Sequence, residues 1–124
     1  DVAHNTAGIH SLVDTLDRLA LPGPVVAVVG VLGDKDWRTM LPPLLSRTGG
    51  AVLTQPPSAP PERRWDAQAA GEAVGGVCPL HVDEDFVEAL TWARREAGSG
   101  TVVVTGSCHT VGSALSVLGL QPLR

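Results

Sequence analysis

Short apolar runs alternate with amphipathic segments along the whole chain, and this alternation limits the possible folds more than any other feature of the sequence. Residues 25–30 form a continuous valine-rich run, typical of a strand buried on both faces of a parallel sheet. Residues 6–20 carry their apolar side chains at helical spacing. The repeated helix–strand order predicts an α/β fold, a Rossmann-like three-layer sandwich with a mostly parallel sheet and helices on both faces.

The individual elements follow from the same periodicities. We predict helices over residues 6–20, 37–41, 66–74, 83–97 and a last one ending at residue 118, and strands over residues 25–30, 51–54, 77–82 and 101–105. Thr6 and Asp83 are expected to cap the first and fourth helices, because their side-chain oxygens accept hydrogen bonds from free amides. Pro79 is expected to place the third strand at a sheet edge, because proline donates no ladder hydrogen bond.

Prolines set two further expectations. Pro42 and Pro43 lack an amide hydrogen, so the second helix is expected to stop before them, with a fresh turn beginning at Pro42. Residues 55–64 hold four prolines and are expected to form an extended surface loop.

Length and charge restrict the possible organisation and partners. The 124 residues fit a single domain, residues 1–124, with its own core. The acidic balance, 13 acidic against 9 basic residues, argues against nucleic acid and membrane surfaces as partners, and the chain has no apolar run of the roughly 18 residues that span a bilayer. Because such a sheet normally has a strand before its first helix, we expect the chain to be a piece of a larger protein.

The two cysteines indicate the compartment. Cys78 and Cys108 are too far apart in sequence to form a Cys-x-x-Cys pair, so we expect two buried small residues rather than a zinc or redox site. A reducing, cytoplasmic location follows from this interpretation.

Polar segments precede three of the predicted helices, at residues 1–5, 33–36 and 105–109. Ligands of parallel α/β sheets bind at the carboxyl ends of the strands, where these segments lie. Helix N-termini attract anions, because their first amides are unpaired and the helix dipole is positive there. A carboxylate or phosphate ligand is therefore predicted on physical grounds alone.

Structural roles compete with ligand binding at each of these positions. Asp34 and Asp36 fit a solvated turn followed by a helix cap, Ser107 fits an N-cap, and an isolated His4 fits a surface histidine. The neighbours Cys108 and His109 do not indicate a nucleophile–base pair, because adjacent residues rarely face each other productively. The remaining aromatic and imidazole side chains are expected to be structural, namely Trp37, Trp65, Trp92, His10 and His81.

Three motifs then carry a resemblance to a known family. Asp1-Val2-Ala3-His4-Asn5 resembles the Asp-Gly-Ala-His-Asn-Pro signature of folylpolyglutamate synthases, with Val2 and Thr6 in place of the usual glycine and proline. Residues 30–36 resemble that family's strand followed by Asp-Lys-Asp, and residues 105–107 resemble its late Thr/Val-Gly-Ser. Their order and spacing match, so the chain resembles the C-terminal domain of the folylpolyglutamate synthase/dihydrofolate synthase family, which is related to the Mur ligases.

The resemblance implies a fold of the Mur ligase C-terminal domain type and a function as part of an ATP-dependent acid–amino-acid ligase. Such enzymes add L-glutamate to folate or dihydropteroate through an acyl phosphate and produce ADP. ATP and Mg²⁺ would be the cofactors. The chain has no Gly-x-x-x-x-Gly-Lys-Ser/Thr motif, so an upstream P-loop domain of the same polypeptide would hold the metal, and the isolated domain would be inactive.

Residue roles are also implied by the resemblance. The ATP-binding residues would be Asp1, which accepts hydrogen bonds from the ribose, His4 and Asn5. The glutamate-binding residues would be His4, Gly106 and Ser107. Further loop contacts would come from Asp34, Lys35, Asp36 and either Arg63 or Arg64, both of which fit the arginine that follows the family's proline-rich loop. No metal ligand and no certain catalytic residue is assigned to this domain.

Two alternatives remain open at this level. One is a free-standing Rossmann-like module that binds a nucleotide or another anion. The other is a Mur-type ligase with a different amino acid substrate, although the Asp-x-Ala-His-Asn form favours the folate branch over the cell-wall branch.

Overall fold

A computed structural model describes residues 4–119. In chain order its elements are α1 (Thr6–Leu19), β1 (Val25–Val29), α2 (Trp37–Leu45), β2 (Gly50–Leu53), a 3₁₀ turn (Pro61–Arg63), α3 (Ala67–Val74), β3 (Leu80–Val82), α4 (Phe86–Ala97), β4 (Thr101–Thr105) and α5 (Cys108–Leu118). The predicted alternation of helices and strands is confirmed.

The strands form one parallel sheet in the order β3-β2-β1-β4. Val28 of β1 lies in register with Val52 of β2 on one side and with Val104 of β4 on the other. β3 lies at one end of this order, which confirms that the strand after Pro79 is an edge strand.

Two apolar layers cover the two faces of the sheet. Ala27 and Val29 of β1 pack with the apolar side chains of α1, α2 and α3. Val26 and Val28, which point the opposite way, pack with α4 and with Ala114 of α5. The three-layer α/β sandwich is therefore confirmed, and β1 is buried on both faces as its valine run predicts.

The connection from α1 to β1 is short, so the C-terminal end of α1 lies near the amino end of β1. The N-terminus of α1 consequently lies at the opposite edge, where the parallel strands end. The segments that follow β1, β2 and β4 share this edge, because all strands run the same way. One edge of the sheet therefore gathers residues 4–5, 33–36 and 105–109 of the polar segments singled out in the sequence.

The prediction that α2 stops before its prolines is wrong, because the helix continues through Pro42 and Pro43 to Leu45. Each proline removes one amide donor from the helical ladder. Leu44 and Leu45 are buried against the sheet together with Met40 and Leu41. Burial of these side chains outweighs the lost hydrogen bonds. The helix propensities of the residues alone do not predict this, because the burial depends on tertiary packing.

Two of the predicted helix caps lie elsewhere. α1 is capped by Asn5, whose Oδ1 accepts from the amide of Gly8 over 2.8 Å, and Thr6 is the first helical residue. α4 starts at Phe86 and is capped by Asp85, whose Oδ1 accepts from Glu88 over 3.1 Å. Asp83 instead accepts from the amide of Asp85, because it belongs to the turn before the helix.

The prolines after β2 are not confined to a surface loop, contrary to expectation. Gln55 and Pro56 are buried, and Ala59 is 4% exposed. Trp65 anchors the end of the segment, since its buried Nε1 donates to the carbonyl of Thr54 over 2.8 Å. Gln55 Nε2 donates to the carbonyl of Trp65 over 2.8 Å. This reciprocal pairing draws the proline-rich segment onto the end of β2.

Candidate functional site

Two glycines, Gly30 and Gly106, lie in close contact just after the neighbouring parallel strands β1 and β4. The amide of Gly30 donates to the carbonyl of Thr105 over 3.2 Å. Gly106 has a φ of 115° and lies so close to Gly30 that an added Cβ would collide with the Gly30 carbonyl. A Cβ on Gly30 would in turn lie 2.6 Å from Thr110 Oγ1. Only glycines allow the two backbones to approach in this way.

Thr110 holds α5 against this contact between Gly30 and Gly106. Its Oγ1 donates to the carbonyl of Gly30 over 2.6 Å and lies 2.9 Å from the hydroxyl of Ser107. Ser107 caps α5, because its Oγ accepts from the amide of Thr110 over 3.1 Å. Ser107 is 1% exposed, so its hydroxyl supports the start of α5 from within and does not lie on the surface of the site. The first amides of α5, those of Cys108 and His109, precede the helical ladder and are available to an anion.

The loop over residues 33–36 is held against the 3₁₀ turn. The amide of Gly33 donates to the carbonyl of Arg63 over 2.8 Å. Nη2 of Arg63 reaches both carboxylate oxygens of Asp34, at 3.1 and 3.3 Å. Arg63 is therefore the arginine that the fold pairs with this loop, whereas Arg64 is exposed beside it.

The same contact sets the titration of Asp34. The hydrogen bond from Arg63 holds the pKa of the Asp34 carboxyl below its ordinary value. Desolvation raises the pKa and opposes this effect in part, while a backbone hydrogen bond and the charges of Arg63 and Lys35 lower the pKa further. Asp34 therefore stays ionised over a wider acid range than an isolated aspartate.

Asp36 and Lys35 differ in their surroundings. Asp36 caps α2, since its carboxylate accepts from the amide of Thr39 over 3.4 Å and from the hydroxyl of Thr39 over 2.6 Å. The backbone of Lys35 closes the turn through its amide, which donates to Leu32 over 3.0 Å, and its side chain is half-buried. Of the Asp-Lys-Asp run, the two carboxylates thus hold the loop and Lys35 supplies its positive charge.

The N-terminus of α1 presents two of the predicted site residues. Asn5 is the exposed N-cap, and His4 lies just before it on the surface. Asp1, the residue predicted to contact the ribose, lies outside the described residues.

Comparison with known proteins identifies the family. The family model described as "Mur ligase, glutamate ligase domain" matches residues 1–108. The chain belongs to this family. A curated relative, the folylpolyglutamate synthase of Lacticaseibacillus casei, is 26% identical over 121 residues, which are 95% of this chain and 26% of the relative.

Solved structures show the same likeness. FolC of E. coli in complex with ADP has a TM-score of 0.82 and 31% identity, over 96% of this chain and 28% of the other. The Mycobacterium tuberculosis folylpolyglutamate synthase complexed with ADP and AMPPCP has a TM-score of 0.81 and 30% identity, over 99% and 30%. The Yersinia pestis bifunctional folylpolyglutamate synthase/dihydrofolate synthase, complexed with AMPPNP and Mn ion, has a TM-score of 0.81 and 32% identity, over 97% and 28%. The Mur ligase domain described here therefore spans about a quarter of the length of the relatives that it matches.

The tertiary structure of this Mur ligase domain adds residues that sequence analysis missed. Thr110 follows Ser107 at capping spacing, but its contact with Gly30, 80 positions away in sequence, becomes visible only in three dimensions. Ser58 lies 3.2 Å from Nδ1 of His109, which links the proline-rich segment to α5. Cys108 is exposed at the start of α5 and Cys78 is half-buried, so the expectation of two buried cysteines is wrong.

Three buried polar atoms near the strand ends lack a hydrogen-bond partner within the part of the chain that the structure describes. They are Thr54 Oγ1, Gln55 Oε1 and Thr105 Oγ1. Buried polar groups are normally paired, and an ordered water commonly completes the bonding of those without a protein partner.

The described residues lack both a metal-binding cluster and a membrane-spanning helix. Among residues 4–119, no three His, Cys, Asp or Glu side chains are placed to hold one metal ion. Over the same residues, no helix has the length and apolar character needed to cross a bilayer.

Proposed function

We propose that this chain is the C-terminal ATP- and glutamate-binding domain of a folylpolyglutamate synthase/dihydrofolate synthase. In that role it serves an ATP-dependent ligase that joins L-glutamate to folate or dihydropteroate. The observation that carries the proposal is the close contact of Gly30 with Gly106, which together with the Thr110 hydrogen bond fixes the start of α5 at the end of β1, on the carboxyl edge of the sheet. The family match and the folate-ligase relatives support the same assignment.

For the incoming glutamate, we assign the carboxylate to the start of α5 and to His4. The unpaired amides behind Ser107 favour an anion, and the positive φ of Gly106 turns the chain so that these amides face the edge of the sheet. Ser107 contributes by capping the helix and keeping the amides in place. Lys35 adds positive charge from the neighbouring loop, while Asp34 and Asp36 position that loop.

For ATP, we assign Asp1, His4 and Asn5 at the start of α1. The chemistry fits, because a carboxylate accepts hydrogen bonds from paired ribose hydroxyls and a histidine donates to phosphate oxygens. Asn5 contributes by capping α1 and so ordering the segment before it.

A divalent metal accompanies the nucleotide in one relative, which is described as holding AMPPNP and Mn ion. We propose Mg²⁺ as the ion for this protein, bound by an upstream P-loop domain of the same polypeptide together with the phosphates. The described residues offer no cluster of metal ligands, so this domain would act on the nucleotide and the amino acid. A cytoplasmic location fits this substrate set.

The test uses the polypeptide that contains this chain together with its ATP-binding domain. Labelled L-glutamate incorporation is measured with ATP and either folate or dihydropteroate. We expect incorporation in the wild type and a loss of at least about tenfold in Asp1→Ala and His4→Ala, because each substitution removes a charged or hydrogen-bonding contact. Ser107→Ala is expected to raise the KM for glutamate, since it loosens the amides of α5.

Matched controls separate these effects from folding. His10→Ala changes an exposed histidine on α1, the helix that His4 precedes, and Ser116→Ala changes an exposed serine on α5. Both are expected to retain wild-type activity. Incorporation of another amino acid in preference to glutamate would replace the folate assignment with another Mur-type ligase. Nucleotide binding without any ligation would leave only the anion-binding module.

A further inference from the structure

The proline-rich segment after β2 forms a closed loop over residues 55–65. Its two ends are joined, because Gln55 Nε2 donates to the carbonyl of Trp65 and Trp65 Nε1 donates to the carbonyl of Thr54, each over 2.8 Å. Ala59, inside the loop, is buried. A compact surface loop with joined ends and side chains packed within it is an Ω-loop, a form that frequently carries function.

The Ω-loop contacts two other segments at the carboxyl edge of the sheet. Near its end, Nη2 of Arg63 lies 3.1 Å from Oδ2 of Asp34, in the loop after β1. Near its middle, the hydroxyl of Ser58 lies 3.2 Å from Nδ1 of His109, in the first turn of α5. Because the ends of the Ω-loop are fastened to each other, contacts outside α5 set the position of the hydroxyl that His109 meets.

His109 is the second residue of α5 and is half-buried. Each Cα–Cβ bond in a helix tilts towards the N-terminus, so this imidazole leans towards the end of α5 where the free amides lie. Nδ1 is occupied by Ser58, whereas Nε2 has no hydrogen-bond partner among residues 4–119. Nε2 is therefore the nitrogen that remains for a ligand.

The hydroxyl of Ser58 determines what Nε2 of His109 can do. A neutral imidazole has one donor nitrogen and one acceptor nitrogen. When Ser58 donates to Nδ1, the imidazole proton lies on Nε2, which then donates to a ligand. When the imidazole is protonated, both nitrogens donate and the same hydroxyl accepts from Nδ1. Nε2 is a donor in both states, which suits a carboxylate and excludes an ammonium group.

The contact between Ser58 and His109 contributes more to positioning than to stability. Ser58 is exposed, so its hydrogen bond exchanges readily with water and adds little to the free energy of unfolding. The buried bond from Thr110 to Gly30 already holds α5 in place. What the Ser58 contact controls is the orientation of the imidazole and the nitrogen that carries its proton.

We propose that His109 is a further binding residue for the incoming glutamate, whose carboxylate accepts from Nε2 beside the first amides of α5. Ser58 is a positioning residue, because it acts on the substrate only through His109. This inference rests on the proposed function, since it adds two residues to the same amino acid subsite.

Steady-state kinetics of the polypeptide that contains this chain and its ATP-binding domain test the role of His109. We expect His109→Leu to raise the KM for glutamate by at least about tenfold, while kcat and the KM for ATP stay within about twofold. His109→Gln is expected to recover most of the affinity, because its amide nitrogen can donate from near the position of Nε2. His10→Leu, which changes an exposed histidine on α1, is the matched control and is expected to behave as wild type.

A double-mutant cycle tests the role of Ser58. Ser58→Ala is expected to raise the KM for glutamate by about three- to fivefold in the wild-type background. It is expected to add nothing in the His109→Leu background, because Ser58 acts through the imidazole. Nitrogen NMR of labelled histidines reads the tautomer without any ligation. We expect the Nε2–H form for His109 in the wild type and a mixture of tautomers in Ser58→Ala.

The outcomes separate this inference from the function on which it rests. Glutamate ligation with an unchanged KM in His109→Leu would overturn the binding role of His109 and leave the ligase assignment intact. An equal effect of Ser58→Ala in both backgrounds, or a neutral wild-type imidazole with its proton on Nδ1, would overturn the positioning role of Ser58. A wild type that ligates no glutamate would overturn the proposed function and this subsite together.

Discussion

The hydroxyl of Thr110 donates to the carbonyl of Gly30 over 2.6 Å and thereby fastens the first turn of α5 to the end of the central strand β1. The same hydroxyl lies 2.9 Å from that of Ser107, so the helix cap and the strand end share one hydrogen-bonded group. Helix α5, whose first amides we assign to the incoming carboxylate, therefore cannot shift without breaking a buried contact. This preorganisation is what an anion site at a helix N-terminus requires.

Replacing Thr110 with valine tests this contact. Thr110→Val keeps the side-chain shape but leaves the buried carbonyl of Gly30 without its hydroxyl donor and the hydroxyl of Ser107 without its side-chain acceptor. We expect the free energy of unfolding to fall by about 1–3 kcal/mol. Urea denaturation measures it, with Thr110→Ser as the control, because serine retains the hydroxyl. A loss of stability in Thr110→Ser but not in Thr110→Val would show that the methyl group, not the hydrogen bond, matters.

Gly106 and Gly112 form a natural pair for comparison. Gly106→Ala places a Cβ at a φ of 115° and against the Gly30 carbonyl, so we expect a destabilisation of at least about 2 kcal/mol. Gly112 lies inside α5, and a Cβ there meets nothing within 4 Å. Gly112→Ala is therefore expected to stabilise by about 0.5–1 kcal/mol. Chemical denaturation of both variants checks the opposite signs of the change in the free energy of unfolding. An unchanged stability of Gly106→Ala would contradict the close contact between Gly106 and Gly30.

The pKa of Asp34 tests the pairing with Arg63. Arg63→Ala is expected to raise the Asp34 pKa towards its ordinary value, because the hydrogen bond from Arg63 is the main cause of the depression. A lowered folded-state pKa stabilises the fold above the ordinary carboxyl pKa, and this contribution is lost as the pH falls through the folded value. Carboxyl-carbon NMR titration measures the pKa. Arg64→Ala, which removes a guanidinium without a hydrogen bond to Asp34, should leave it unchanged.

Sequence patterns predicted most of the architecture because they report local physics. The valine run of β1, the helical stripe of α1 and the edge position implied by Pro79 are all confirmed. Boundaries were less predictable where several residues compete for one role. Asp83 and Asp85 both suit an N-cap, and only the packing of Phe86 against the sheet decides between them.

The candidate site likewise contains features that local sequence predicts and features that depend on tertiary contacts. The sequence by itself determined the α/β alternation, the three polar segments before helices and the motifs that resemble the folate ligases, because these depend on neighbouring residues. Only the tertiary structure decided that α2 continues through Pro42 and Pro43, since burial of Leu44 and Leu45 is a contact between distant elements. It likewise decided that Arg63 rather than Arg64 holds Asp34, because two adjacent arginines are equivalent until the backbone directs one of them towards the loop.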